Sequence, residues 1–102
     1  MTEQEIIEKA KTSKALERMH VSDDEFNYPW GDRVPLKVRM LKTVFPDMPF
    51  LAKADTMCQR GEEYYCWVNS YGAVSAILPN GEQLGLKPKE FEVIEYHQNT
   101  KP

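Results

Sequence analysis

Residues 61–96 read GEEYYCWVNSYGAVSAILPNGEQLGLKPKEFEVIEY, and the punctuation of this stretch decides the fold. Tyr64, Cys66 and Val68 alternate with Tyr65, Trp67 and Asn69, the period of two that sends successive side chains to opposite faces of a strand. Both faces carry aromatic rings, so some ring should emerge unless both are covered. Asn69-Ser70-Tyr71-Gly72 has Asn first and Gly fourth, the pattern of a type I turn, and predicts that a strand over residues 73–78 folds back antiparallel. Pro79-Asn80-Gly81 predicts the next hairpin turn, because Asn and Gly tolerate positive φ and Pro79 stands where no ladder amide is needed. Leu84 and Leu86 then point inward, with Gly85 between them leaving room for a bulge or a close backbone approach. Lys87-Pro88-Lys89-Glu90 makes one tight turn, and residues 91–96, FEVIEY, form the last strand.

Upstream, residues 36–40 (LKVRM) alternate apolar with basic side chains, as a half-buried strand does. Val34, Val38, Leu41 and Phe45 also fit a helix opening at Pro35. The β-branched Val38, Thr43 and Val44 favour the strand, and Pro46 ends either element. Pro46-Asp47-Met48-Pro49 reads as a rigid turn, residues 50–55 as a connection, and residues 56–59 as a short strand entering a turn at Arg60-Gly61.

The N-terminus opens with Thr2-Glu3-Gln4-Glu5, the spacing of a capping box. A helix should start there, either as one loosely amphipathic helix to about residue 19 or as two short ones, since Thr12-Ser13 can cap a fresh start. Such a polar helix is marginal alone, because nucleation is costly and packing normally supplies the stability. It must dock, bind a partner or fray. Docking Ile6, Ile7 and Leu16 would help a β-domain of this size, since small domains bury a modest share of their surface. Ser22 to Glu25 repeats the capping spacing, and residues 26–32, FNYPWGD, read as a loop whose Tyr28 and Trp30 either plug one end of the core or anchor a partner.

A chain of 102 residues, 41% hydrophobic and 28% charged, has the composition of one globular domain. Three segments are expected: a helical arm with its aromatic loop over 1–33, a β-domain over 34–97 and a disordered tail over 98–102. The net charge of −3 argues against bulk attraction to nucleic acid or anionic lipid. Residues 33–60 nevertheless hold six bases against two acids. No apolar run long enough to span a bilayer occurs, and the charged N-terminus does not read as a signal peptide, so a cytoplasmic chain is expected.

Five short strands, a long irregular connection after the first, tight hairpins between the next three and a single turn before the last make the stretch from Val34 to Tyr96 resemble an SH3-like small barrel. Its carriers are residues 36–40, 61–65, 72–78, Asn80-Gly81 and 87–95. The resemblance implies an α+β, mainly β fold: a five-stranded antiparallel SH3-like barrel with an N-terminal helical arm. The acidic-aromatic ALYDY-like segment of proline-peptide-binding SH3 domains is missing, so their ligand is not carried over. Fold alone licenses no function.

Two functions from different classes follow. In the first the chain is a non-catalytic protein-interaction module, contacting its partner through Tyr65, Trp67 and Tyr71, or through Tyr28 and Trp30. In the alternative it binds single-stranded nucleic acid, with Arg33, Lys37, Arg39 and Lys42 on phosphates and aromatic rings stacking on bases. No catalytic constellation, cofactor or metal site is expected. Cys58 and Cys66 lack zinc-ligand spacing and read as buried thiols. They would face each other if residues 61–63 formed a hairpin loop.

Overall fold

The computed structural model describes residues 2–18, 33–45 and 57–97. The expected capping spacing at 22–25, the aromatic loop with Tyr28 and Trp30, the turn at 46–49, the connection at 50–55 and the tail at 98–102 lie outside these residues. Within them the chain is mainly β. Five strands follow two short helices, in the order α1 (Glu3–Ala10), α2 (Lys14–Arg18), β1 (Pro35–Met40), β2 (Glu63–Val68), β3 (Val74–Ile77), β4 (Gln83–Leu86) and β5 (Phe91–Tyr96).

The strands make one antiparallel sheet in the order β4-β3-β2-β1-β5. Among the described residues its two edges, β4 and β5, do not pair with each other. The helix alternative at β1 is not realised, and its strand ends at Met40, with Val44 joined to Cys58 in an isolated bridge. Among the described residues, 57–59, that bridge stands in place of the strand expected over 56–59. β2 changes neighbour half-way along: Glu63 to Tyr65 pair with Arg39 to Lys37, whereas Cys66 to Val68 pair with Ala76 to Val74.

The hairpin turns form where their residues predict. The Asn69 carbonyl accepts the Gly72 N–H at 3.0 Å, and its side-chain oxygen accepts the Tyr71 and Ala73 amides at 2.8 and 3.0 Å. Gly72 adopts φ 87°, a region that a Cβ disfavours. Gly85, expected to admit a bulge or a close approach, does neither. It pairs regularly with Ser75, and nothing lies within 4 Å of a Cβ built there. Pro88–Glu90 is a 3-10 turn, closed by the Glu90 carboxylate accepting the Lys87 amide at 2.7 Å. Its Glu90 carbonyl accepts the Leu41 N–H, tying the turn to the end of β1.

Alternation then sorts the side chains. Val38, Met40, Cys66, Val68, Val74, Ala76, Leu86 and Phe91 fill one side as the main core. Burial of such side chains at about 1.5–3 kcal/mol each for the larger ones is the dominant favourable term. Ile77 projects to the opposite face from Ala76, yet it is only 2% exposed. Cover comes from α1, which packs on β2 and places Ile6 at a hollow shared with Tyr65, Ile77 and Pro79.

The arm is therefore two helices docked on the sheet. Thr2 and Glu5 form the reciprocal capping box. Ala10 and Ala15 are fully buried, while Ile6, Ile7 and Leu16 are half-buried. Thr12 and Ser13 mark the break between helices, but Ser13 is not a simple cap. Its hydroxyl donates to the Ala10 carbonyl at 2.7 Å and accepts the Val68 N–H at 3.0 Å, in the region where β1 no longer pairs with β2. A buried strand amide without a neighbour would be costly, and this one hydroxyl satisfies it.

Candidate functional site

The aromatic residues expected to contact a partner separate into two environments. Tyr65 and Trp67 are half-buried beneath or beside the arm. The Trp67 indole N–H donates to the Thr12 hydroxyl at 3.2 Å, and the Tyr65 ring receives the Lys37 ammonium 4.9 Å from its centroid. Because α1 packs over the face that Tyr65 and Ile77 share, while Ala15 of α2 joins the core cluster with Cys66 and Val68, both faces of β2 are occupied. Tyr71 behaves otherwise. It sits in the β2–β3 turn, whose backbone is held by Asn69, and its residue is 81% exposed.

Beside Tyr71 lies a recess of about 280 Å³, lined by Val74, Leu86, Lys87, Pro88 and Phe91 as well as by Tyr71 itself. Three separate segments build it. The β2–β3 turn gives Tyr71, the sheet gives Val74 and Leu86, and the 3-10 turn with the start of β5 gives Lys87, Pro88 and Phe91. Sequence reasoning singled out Tyr71 but none of the other lining residues. The two tight turns at 69–72 and 87–90 were both legible, but their meeting depends on β3 and β4 pairing in register, with Val74 opposite Leu86.

A second hollow, of about 370 Å³, lies at the edge of the arm, where Ile6, Tyr65, Ile77 and Pro79 meet Glu62 and Glu63. Of these two acids, Glu63 is matched by cations of β1. Glu63 faces Arg39 directly across the strands at 3.0 Å and Lys37 at 3.6 Å, and Arg39 also reaches Glu92 on β5 at 3.1 Å. These hydrogen-bonded cations hold the Glu63 carboxyl below its ordinary range, with the Arg39 bond the largest cause. The same carboxylates raise the Arg39 pKa.

The four bases expected to meet phosphates all have protein partners. Besides Lys37 and Arg39, Lys42 pairs with Glu90 at 3.6 Å, and the Arg33 guanidinium stacks over the Tyr96 ring at 4.0 Å. Lys37 and Arg39 do share one face of β1, but as the middle row of a cross-strand charge ladder rather than as an unmatched patch.

Cys58 and Cys66 do not face each other, contrary to the hairpin expected around residues 61–63. The turn at Gln59 to Glu62 feeds the chain back along β1 instead: the Gly61 amide donates to the Met40 carbonyl, and the Met40 amide to the Glu62 carbonyl. Cys58 thus meets Val44 and Cys66 meets Ala76. Both are free, buried thiols, and burial pushes each pKa up to about 12. A thiol in that state is a poor nucleophile, because the thiolate is the reactive form.

His97 is half-buried at the end of β5, where its amide donates to the Val34 carbonyl. Its Nε2 is buried without a hydrogen-bond partner among the described residues. Burial, and secondarily the charge of Lys11, lowers its pKa. Among the described residues no group of three or more His, Cys, Asp and Glu side chains is arranged to hold a metal ion. No helix among them is long and apolar enough to cross a membrane.

Comparison with protein families, curated proteins and solved structures found no match to the chain.

Proposed function

We propose that the protein is a small non-catalytic protein-interaction module of SH3-like barrel type, with Tyr71 and the adjoining recess as its contact surface. The observation that carries this reading is Tyr71 itself, a large aromatic 81% exposed on a turn whose backbone is fixed by three hydrogen bonds to Asn69. Fixing the backbone lowers the entropy lost on binding, and tyrosine supplies contact area at the cost of few rotors. The recess beside it is mainly apolar and offers a place for one partner side chain.

The barrel reading draws support from the strand order β4-β3-β2-β1-β5, from the long connection between β1 and β2, and from the single turn that precedes β5. A cytoplasmic setting fits two buried thiols left unpaired. The nucleic-acid alternative draws less support, because Arg33, Lys37, Arg39 and Lys42 are each engaged by a ring or a carboxylate of the protein. Contacting phosphates would require giving those partners up.

Affinity capture from the native host, run in parallel with the wild-type protein and Tyr71→Ala, tests the reading. An exposed turn side chain contributes little to folding, so Tyr71→Ala should change stability by no more than about 0.5 kcal/mol. The expected outcome is a protein retained by the wild type and lost from the folded variant. Equal retention by the two would remove Tyr71 from the contact surface.

A further inference from the structure

The recess beside Tyr71 has a charge character of its own. Of the residues that line it, Lys87 alone brings a formal charge, and no carboxylate is among them. The nearest acid in sequence, Glu90, is already committed: its carboxylate accepts the Lys87 amide at 2.7 Å and pairs with the Lys42 ammonium at 3.6 Å. Lys87 is exposed, and its ammonium takes no part in the ion pairs among the described residues. Lys89, one residue beyond Pro88, is exposed as well. This contrasts with β1, where Lys37 and Arg39 face carboxylates on the neighbouring strands.

We infer that the partner of this surface is a peptide segment presenting an apolar side chain to the recess and an acidic side chain next to it, the carboxylate meeting Lys87; the inference rests on the interaction-module reading. The two halves of the recognition have separate physical causes. Val74, Leu86, Pro88 and Phe91 favour an aliphatic group, because burying it releases water from both surfaces. Lys87 favours an acid beside it, because an exposed cation at the rim of an apolar site steers and orients an anion. A basic flank would instead meet like charge from Lys87 and Lys89. The volume of about 280 Å³ suits one aliphatic side chain with its neighbouring backbone rather than a folded element.

Three blocked heptapeptides separate these causes: Gly-Ser-Asp-Leu-Asp-Ser-Gly, the same chain with Lys for both Asp, and the acidic chain with Gly for Leu. Binding of each to the full-length 15N-labelled protein is read from amide shifts. The leucine-containing acidic peptide should move the amides of Tyr71, Ala73, Lys87 and Phe91. It should bind up to about fivefold more tightly than the basic one, the upper end for an exposed ion pair. Replacing its Leu should abolish the shifts. Lys87→Glu, whose spectrum reports that the fold is intact, should reverse the charge preference, and Lys87→Met should erase it.

Equal binding of the acidic and basic peptides, an unchanged preference in Lys87→Glu, or shifts centred on Lys37 and Arg39 would overturn the inference. So would the lack of any shift at the recess. Failure of the underlying reading has a different signature, since it appears as host-protein capture that is indifferent to Tyr71→Ala.

Discussion

Ser13 shows how much one small polar side chain can carry. It is 2% exposed, and its hydroxyl is both donor to the Ala10 carbonyl and acceptor for the Val68 amide. Ser13→Ala removes the acceptor but leaves the amide buried, which costs about 1–3 kcal/mol. Urea unfolding should show that loss as a lower midpoint with an unchanged slope. His97 supplies a pH dependence. Its folded pKa is lowered below the ordinary 6.5 by burial and by Lys11, so the unfolded chain takes up the proton first as pH falls. The associated stability is present above about pH 6.5 and is lost as pH falls from there through the folded pKa. Glu63 and Glu5 are held below the carboxylate range, so their contributions fade at lower pH, beginning near 4.5. The urea midpoint should therefore drop between about pH 7 and pH 5 in the wild type and stay level in His97→Gln over the same window. An equal drop in both would contradict the assignment.

At the scale of elements, the arm substitutes for a missing neighbour. β1 accompanies β2 only as far as Tyr65, and beyond that point Thr12 and Ser13 supply the partners for Trp67 and Val68. Lys9 adds a bond from its ammonium to the Gly81 carbonyl at the far turn. Docking was open in the sequence because few of its contacts follow an apolar stripe. Ala10 and Ala15 are too small to signal a buried face, and the polar anchors at 9, 12 and 13 look like ordinary surface. Ala10→Asp places a charge at a fully buried position and should release the arm. In hydrogen exchange, the Val68 amide should then lose at least about tenfold of its protection, whereas the Leu41 amide, bonded to Glu90 outside the arm, should keep its own. Unchanged protection at Val68 would place the arm's hold elsewhere. The hairpins were legible for the opposite reason. Asn69 acts through its side-chain oxygen on amides two and four residues further on, Gly72 and Gly81 act through their own backbone, and none needs a distant partner.

Across the whole molecule, the readable parts are those fixed within a few residues, and the unread parts are those fixed by pairing. Strand periodicity named β1 and β2, and the turn residues named the hairpins and the turn before β5. Periodicity could not reveal that β1 sits between β2 and β5, which is what brings Arg39 between Glu63 and Glu92 and turns an expected phosphate-facing strand into a charge ladder. Nor could it show which of Tyr65, Trp67 and Tyr71 would remain outside. Parity required that Tyr65 and Trp67 lie opposite Tyr64, but only the docked arm decides that they are sheltered while Tyr71 stands free on its turn. The recess beside Tyr71 was unreadable because residues 71, 74, 86, 88 and 91 converge only once β3 and β4 are in register.

The central claim is that this corner of the molecule meets another protein, and a photo-crosslinker placed at position 71 tests it most directly. With p-benzoylphenylalanine in place of Tyr71, irradiation in the native host should yield a covalent adduct with a second protein. The same group in place of Glu92, exposed on the charge ladder of β5, should yield no such adduct. An adduct from position 92 equal to that from position 71, or none from position 71 in a folded protein, would contradict the account.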